Sequence, residues 1–488
     1  MNATDARKRI VFEFGGELAA RVRGATEMPL QTDWGEEHGG SNPDLKACFG
    51  GNSARCWAIR VSSASHVGYS PCSFACEKPK IGDVSLLEIR TEGLVDDWSL
   101  LRWTDSAGDA LQLTPPTVGA VADLPPAPFG VAYPARLEGV GRVYLWTNGF
   151  TARQPTLTLE PALATRYLEA ASALVKQYAR RGVPMETALQ HLQQAQALQT
   201  EQRWAECLAA SVAAAEASVV SLARARLERM HGRTAFLWGV WVDAPAALPL
   251  PALAPPLNLI ALRRLEPSDD WRALIQHAQG IRAAVAAFWT SDLCPRAEDA
   301  LRETVAAYRG SVRYWNIAAN LHRSEPSERV AQQIGALCEV ARATDFGVVR
   351  LLHGAHGYYE PSSPYALLEL CAETGAPYEA IHLEWQWYDG TLYDLDQLLE
   401  RYGELGKPIH LSISLPPEGG WSVFSRTEPL AWLEGACLVA LSKPYVIALQ
   451  APLQATERSG GALDASGQPS AHWQQLAQVA AWNASLLD

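Results

Sequence analysis

The second half of the chain alternates between short apolar runs and amphipathic stretches, and this alternation limits the possible folds more than any other feature. From about residue 234 onward, apolar runs of strand length are separated by segments with helical spacing, such as SERVAQQIGALCEVARAT and YDLDQLLERYGELG. Strands that alternate with helices form parallel sheets. Eight such units in roughly 250 residues fit a (β/α)8 TIM barrel, which we predict for residues 233–488. The eight predicted strands lie in AFLWGVWVD, LNLIAL, AAVAAFW, VRYWNIA, FGVVRLL, YEAIHLEW, PIHLSISL and YVIALQA.

The first part of the chain has the pattern of a β-sandwich. Short alternating runs such as CWAIRVSS, DVSLLEIRT and GRVYLWTNGF are separated by Gly, Pro, Asp and Asn. Many short strands with turn signals between them are typical of two packed antiparallel sheets. We therefore predict a β-sandwich domain over residues 1–158.

Between these two regions the sequence predicts helices. Residues 159–232 are rich in Ala, Leu, Gln, Glu and Arg, and their apolar residues lie three and four positions apart. This composition and spacing are typical of α-helices. Gly182 and Pro184 interrupt the pattern once. We predict two or three long helices that form a hairpin and link the sandwich to the barrel.

Charge and composition exclude several classes of partner. The chain has 488 residues, 41 Lys and Arg against 53 Asp and Glu, and a formal net charge of -12. Because no basic stripe interrupts this acidic balance, we expect no nucleic-acid partner. The sequence contains no run of about eighteen apolar residues, so it predicts no membrane span. The sequence also contains no glycine-rich phosphate loop that would bind a nucleotide, so we expect no cofactor.

The N-terminus, MNATDARKRIVFEFGG, lacks the apolar segment of a signal peptide. On this ground we expect a cytoplasmic protein. If a leader peptide has been removed from this sequence, we expect an exported protein instead.

Several motifs of the barrel region follow one another in the order known from one enzyme family. VRYWNIAAN, YEAIHLEWQW, LLERYGELGKPIHLSISLP, ALSKPYVIALQAP and GGALDASGQPSAHWQQL resemble the strand-four, strand-six, strand-seven, strand-eight and closing segments of glycoside hydrolase family 10, the xylanase family. This resemblance implies a TIM barrel built to act on a β-linked glycan. The segments SARCWAIRV and KIGDVSLLEIRTEG give residues 1–158 a looser similarity to the carbohydrate-binding modules that precede such barrels.

The sequence departs from the family at both catalytic positions. The resemblance places the acid/base on Asn320 and the nucleophile on Ile413, with Ser412 where the family has threonine. On strand six, Gln386 takes the place of a histidine and Glu384 that of a glutamine. Retaining glycosidases need two carboxyl groups, and an amide and an isoleucine supply neither. The resemblance therefore implies a barrel that is catalytically degenerate, a pseudoenzyme.

Glu384 is the best substitute carboxylate, because it lies near the end of a predicted strand. It could form a relocated catalytic pair with Asp243 or Glu418. Alternatively, it is a carboxylate at the barrel mouth that pairs with an arginine such as Arg350 or Arg263.

Loops at the same barrel end carry residues suited to carbohydrate. Flat aromatic faces beside amide and carboxylate groups match the apolar faces and polar rims of sugar rings. The same residues could instead pack the loops or contact another protein. The predicted ligand-binding residues are Asn320, His322, His356, Glu384, Trp385, Gln386, Trp387 and Trp421.

Histidines near the barrel mouth raise the question of a metal. His353 and His356 follow strand five, and strand alternation puts His382 on the same face as Glu384. Because no defined carboxylate partner completes a ligand set, we predict no metal site.

Three functions remain open from the sequence. The leading hypothesis is a noncatalytic glycan-binding or assembly protein, whose partner is an oligosaccharide, a polysaccharide or a protein. The second is an active glycoside hydrolase that uses Glu384 with Asp243 or Glu418. The third is a structural subunit that docks a protein partner.

Overall fold

The computed structural model describes residues 45–47, 57–61, 67–71, 87–111, 119–121, 128–150, 156–244, 253, 255–263, 265–289, 296–318, 326–355 and 364–487. Of the predicted site residues, Asn320, His322 and His356 lie outside these ranges.

The region before the first described helix is built from strands. Three sheets are described there: β2 pairs with β1 and β3, β4 with β6 and β9, and β7 with β5 and β8. A 3-10 turn, Trp98–Leu100, lies between β4 and β5. The strand content agrees with the predicted all-β region, and the packing of its sheets as a sandwich stays a prediction. The strands are β1 (Leu45–Ala47), β2 (Trp57–Val61), β3 (Val67–Pro71), β4 (Leu87–Arg90), β5 (Arg102–Asp105), β6 (Gly119–Val121), β7 (Phe129–Leu137), β8 (Gly141–Trp146) and β9 (Thr156–Thr158).

Three helices follow these strands: α1 (Leu159–Tyr178), α2 (Glu186–Thr200) and α3 (Trp204–Arg229). Gly182 ends the 3-10 turn after α1 with a φ of 75°, a left-handed conformation that favours glycine. The predicted break at Gly182 and Pro184 therefore separates α1 from α2. Helix α3 packs against both other helices along a face rich in buried alanines.

Helix α3 is also the one helix among the described residues that is long and apolar enough to cross a membrane. Within its most apolar window, 56% of the residues are buried inside the protein. The buried face packs on α1, α2 and the strand β7, as in a core helix.

Eight parallel strands form a closed barrel, in which β10 is hydrogen-bonded to both β11 and β18. Each of the eight apolar runs overlaps one barrel strand, so the predicted eight-stranded barrel is confirmed. The strands are β10 (Leu237–Val242), β11 (Leu259–Leu262), β12 (Ala284–Phe288), β13 (Tyr314–Ala318), β14 (Val349–Ala355), β15 (Ala380–Trp385), β16 (Ile409–Ile413) and β18 (Val446–Pro452).

Helices cover the outside of the barrel. Alternate strand residues such as Leu383 and Leu411 are fully buried against them, while the residues between point into the lumen. A small apolar cluster that includes Trp241, Phe288 and Tyr314 fills part of the lumen. The helices are α4 (Asp269–Gly280), α5 (Ala297–Ala307), α6 (Glu328–Thr344), α7 (Tyr365–Glu373), α8 (Leu392–Gly403), α9 (Pro429–Leu441) and α10 (Ala471–Ser485).

A short strand from the barrel half joins the N-terminal sheet. Strand β17 (Ser425–Arg426) lies between β16 and α9 in the sequence and pairs antiparallel with β8. The four-stranded sheet β17-β8-β7-β5 therefore contains both halves of the chain.

A buried carboxylate fixes the N-terminal helices to the barrel near its mouth. Asp394, in the first turn of α8, is fully buried and accepts hydrogen bonds from Arg166 Nη1 at 2.9 Å and Tyr167 Oη at 2.8 Å, both on α1. Thr391 donates its backbone N–H and its hydroxyl to the same carboxylate and caps the helix. The segment between β15 and α8 is thus anchored from outside the barrel.

Candidate functional site

Glu384 is the only Asp or Glu within the eight barrel strands, all of which the structure describes. In β15 the side chains of Ile381, Leu383 and Trp385 pack toward the helices, whereas His382 and Glu384 enter the lumen. The prediction that His382 and Glu384 share one face of the strand is confirmed. The lumen therefore carries a single strand-borne carboxylate.

The Glu384 carboxylate has three neighbouring side-chain partners. Arg263 Nη2 donates to Oε1 at 2.8 Å, Gln386 Nε2 donates to Oε1 at 3.1 Å, and His353 Nε2 lies 3.2 Å from Oε2. Burial alone would raise the pKa of Glu384, but the charge of Arg263 and the hydrogen bond from His353 outweigh it and lower the pKa well below 4.5. Glu384 is therefore ionised at neutral pH.

Arg263 is held in place by aromatic rings. Its guanidinium carbon lies 4.3 Å from the ring centre of Trp241 and 5.7 Å from that of Phe288. Of the two arginines predicted as partners of Glu384, Arg263 makes the ion pair. Arg350 binds Glu379 instead, with its Nε 2.9 Å from the carboxylate.

A row of three histidines crosses the lumen on the side of Glu384 that faces the strand starts. The strand register places His353 beside His382 and His382 beside His410. His353 is 6% exposed, and the other two are fully buried. The ring centres of His353 and His382 are 5.3 Å apart.

His382 lies at the centre of a hydrogen-bonded chain. Its Nδ1 is 3.1 Å from the Asn316 amide nitrogen, and its Nε2 is 2.7 Å from Ser412 Oγ. Because the amide nitrogen only donates, Nδ1 accepts and Nε2 donates to the serine. Burial, and then the neighbouring His353 and His410, lower the pKa of His382 well below 6.5.

His410 has a more apolar environment. Its ring packs at 4.7 Å against Tyr314, and neither ring nitrogen has a hydrogen-bond partner among the described residues. Burial lowers the pKa of His410 to about 3. Within the described residues, no group of three or more His, Cys, Asp or Glu is arranged to hold a metal ion.

The structure corrects the placement of Ile413 at a catalytic position. Ile413 is fully buried in the core between the strands and the helices. The residue before it, Ser412, faces the lumen as His410 does, contacts His382 and lies beside Glu384 in the strand register. Strand alternation therefore turns Ile413 away from any ligand in the lumen.

The structure also corrects the assignment of Trp385 and Trp387 to ligand binding. Both side chains are 0% exposed and belong to the main core. Trp387 Nε1 donates to the Arg458 carbonyl at 3.0 Å, which fixes the ring inside the protein. Neither ring presents a face on which a sugar could stack.

Trp421 and Gln386 remain partly exposed. The Trp421 ring stacks on Phe424 at 5.8 Å, and the Arg458 guanidinium lies 4.9 Å from it. The two carboxylates proposed as partners of Glu384, Asp243 and Glu418, are both exposed.

The loop after β15 is clamped by the N-terminal sheet, a feature that the sequence did not predict. Tyr144 on β8 donates its backbone N–H to the Tyr388 carbonyl at 2.9 Å. Arg426 on β17 donates to the carbonyls of Trp387, at 2.8 Å, and Gly390. The backbone of residues 387–390, shortly after Glu384, is therefore held by the two neighbouring strands β8 and β17.

No protein-family profile matches the chain, and no curated protein is similar to it in sequence. Solved structures do resemble it. A glycoside hydrolase family 10 endoxylanase from a sugarcane soil metagenome is 12% identical, with a TM-score of 0.41, and the match covers 50% of this chain and 97% of the xylanase. A family 10 xylanase from Thermobacillus composti is 14% identical, with a TM-score of 0.39 and the same coverage.

A third solved structure resembles the chain to a similar degree. A calcium-binding mutant of β-glucuronidase 2 from Bacteroides uniformis is 12% identical, with a TM-score of 0.40, over 51% of this chain and 34% of that protein. Family 10 xylanases are among the solved structures that resemble this eight-stranded barrel.

Proposed function

We propose that this protein is a noncatalytic barrel, related in fold to family 10 xylanases, that binds a glycan at its mouth. One observation carries the proposal: the only carboxylate in the barrel strands, Glu384, is ion-paired with Arg263 and hydrogen-bonded to His353. A carboxylate that is ionised at neutral pH and held by neighbouring donors suits binding better than donation of a proton.

Glycoside hydrolysis needs a carboxylic acid that protonates the leaving oxygen and a second carboxylate that acts as nucleophile or base. Glu384 cannot be that acid at neutral pH, because Arg263 and His353 keep it ionised. Asp243 and Glu418 are exposed, and neither is among the hydrogen-bonding partners of Glu384. A hydrolase with relocated carboxylates is the alternative that the experiments must test.

The groups that remain at the mouth suit the recognition of hydroxyl groups. Arg263 and Gln386 supply donors beside the Glu384 acceptor, and the rings of Trp241 and Phe288 form an apolar wall behind Arg263. Asn320, His322, His356 and Trp421 belong to the proposed binding residues as well. Because Trp385 and Trp387 are buried, we expect affinity to come from hydrogen bonds rather than from ring stacking.

Isothermal titration calorimetry with a panel of xylo- and gluco-oligosaccharides tests the binding. We expect heat with at least one member, and about tenfold weaker binding for Glu384→Gln, because the substitution removes a charged acceptor. The matched control is Glu434→Gln, which weakens an exposed ion pair between Glu434 on α9 and Arg224 on α3 and leaves binding unchanged. Absence of heat with every sugar, from protein whose circular dichroism shows it folded, would rule out the glycan.

A further inference from the structure

The end of the barrel opposite the mouth carries an unusual combination of side chains. Arg282, Arg309, Arg313 and Phe346 lie on the three loops that lead into the neighbouring strands β12, β13 and β14. We call these four residues the basic-aromatic patch. It is separate from the site around Glu384, because the loops at the strand starts and strand ends lie at opposite ends of a barrel.

Backbone contacts bring the three loops side by side. Arg313 N donates to the Val285 carbonyl at 2.9 Å, and Val349 N donates to the Arg313 carbonyl at 2.8 Å. The carboxylate of Asp345 accepts from Gly310 N at 2.8 Å, which ties the loop of Arg309 to the turn of Phe346.

Phe346 is 88% exposed, whereas the other exposed large hydrophobic residues described range from 36% to 44%. Its turn is rigid: Asp345 is only 8% exposed, and its carboxylate also accepts from Gly347 N at 3.2 Å. The buried Asp345 thus stabilises the turn that exposes the Phe346 side chain to solvent. Exposing a phenylalanine costs free energy that contact with an apolar partner would recover.

The charges around Phe346 are also unbalanced. Arg282, Arg309 and Arg313 are exposed, and none of their side chains forms an ion pair or hydrogen bond with a described residue. The one acidic residue in these loops, Asp345, is buried and bound to backbone N–H groups. This concentration of positive charge occurs in a chain whose formal net charge is -12.

We propose that the basic-aromatic patch is a docking surface for an acidic protein segment that carries a large apolar side chain. The arginines would pair with its carboxylates, and Phe346 would pack on its apolar residue. Arginine and aromatic residues are the side chains that most often dominate the energy of protein interfaces. The exposed ring favours a protein over a nucleic-acid duplex, whose phosphates would use the arginines and whose paired, stacked bases would leave Phe346 in water. The proposal is independent of glycan binding at the mouth.

A random-peptide library displayed on phage and panned against the immobilised full-length protein tests this surface. We expect the selected peptides to carry net negative charge and at least one large apolar residue. In fluorescence anisotropy, Phe346→Ser and the double variant Arg309→Glu/Arg313→Glu should each weaken their binding about thirtyfold, the loss typical of an interface hot spot.

The control variants change similar residues elsewhere on the surface. Leu189→Ser removes another exposed apolar side chain, and Arg136→Glu reverses an exposed charge on β7; both should leave binding unchanged. The proposal fails if no peptide is enriched, or if the patch variants bind the selected peptides as well as the wild type does. It also fails if a DNA duplex binds the wild type and Phe346→Ser with equal affinity and displaces the peptides.

Discussion

Replacing Asp394 by alanine should lower the free energy of unfolding by about 3 to 5 kcal/mol, the typical cost of leaving a buried charge without its partner. Asp394 is fully buried and receives four hydrogen bonds, from Arg166, Tyr167 and, twice, Thr391. Without it the Arg166 guanidinium, whose side chain is 10% exposed, stays inside the protein unpaired. Guanidinium denaturation followed by far-ultraviolet circular dichroism measures the change.

The control for this variant is Asp299→Ala, which breaks the exposed ion pair with Arg302 on α5. Exposed pairs of this kind contribute about 0.2 to 1 kcal/mol, so its unfolding midpoint should hardly move. Equal effects of the two variants would show that Asp394 does not anchor α1 to the barrel. Asp394→Asn, which keeps the shape of the side chain, should fall between them.

Acidification should destabilise the barrel strongly, because neutral histidines are buried in its lumen. In the unfolded chain a histidine titrates near 6.5, whereas burial lowers the pKa of His410 to about 3 and that of His382 well below 6.5. A group whose pKa is lowered by folding stabilises the protein above its unfolded pKa, and this stabilisation is lost as the pH falls. For His410 alone the loss amounts to about 3 kcal/mol between about pH 6.5 and about pH 4.

Glu384 and Asp105 are among the other groups that modify this pH dependence. The lowered pKa of Glu384 acts in the same direction, since its stabilisation is lost once the pH falls below about 4.5. Burial, and then the nearby Asp109, raise the pKa of Asp105 to about 6. This group acts in the opposite direction: it adds stability as the pH falls from about 6 toward its unfolded value.

His410→Phe isolates the histidine contribution. Phenylalanine keeps a ring against Tyr314 and removes the two ring nitrogens that lack partners among the described residues. Thermal unfolding between about pH 7 and about pH 4 should therefore show a smaller loss for this variant than for the wild type. His277→Phe, which replaces an exposed histidine on α4, is the control. Parallel stability curves for His410→Phe and the wild type would contradict a neutral, buried His410.

The barrel could be predicted from the sequence because its signal is local. Each of the eight apolar runs overlaps one strand, and an arginine partner for Glu384 is one of the alternatives that the sequence leaves open. Alternation along β15 put His382 and Glu384 on one face, and the same rule would have placed Trp385 on the other. Trp385 and Trp387 are predicted to bind sugar because a sequence does not show which aromatic side chains are buried.

Other features depend on contacts that no local pattern reveals. The histidine row joins His353, His382 and His410 from three separate strands, so it exists only once the strand register is fixed. The placement of Ile413 was wrong because a motif match fixes the order of residues and not the direction of each side chain. Strand β17 pairs with β8, and this pairing joins residues that are 283 positions apart in the sequence. No local sequence pattern predicts a contact over that separation.

The release of reducing sugar from xylan and of the aryl group from aryl glycosides tests the central claim most directly. The wild type, Glu384→Gln and the control Glu434→Gln should all give the rate of the protein-free blank, while a family 10 xylanase confirms that the assay works. The claim is contradicted if the wild type and Glu434→Gln release sugar or the aryl group and Glu384→Gln does not. That result would identify Glu384 as a catalytic carboxylate.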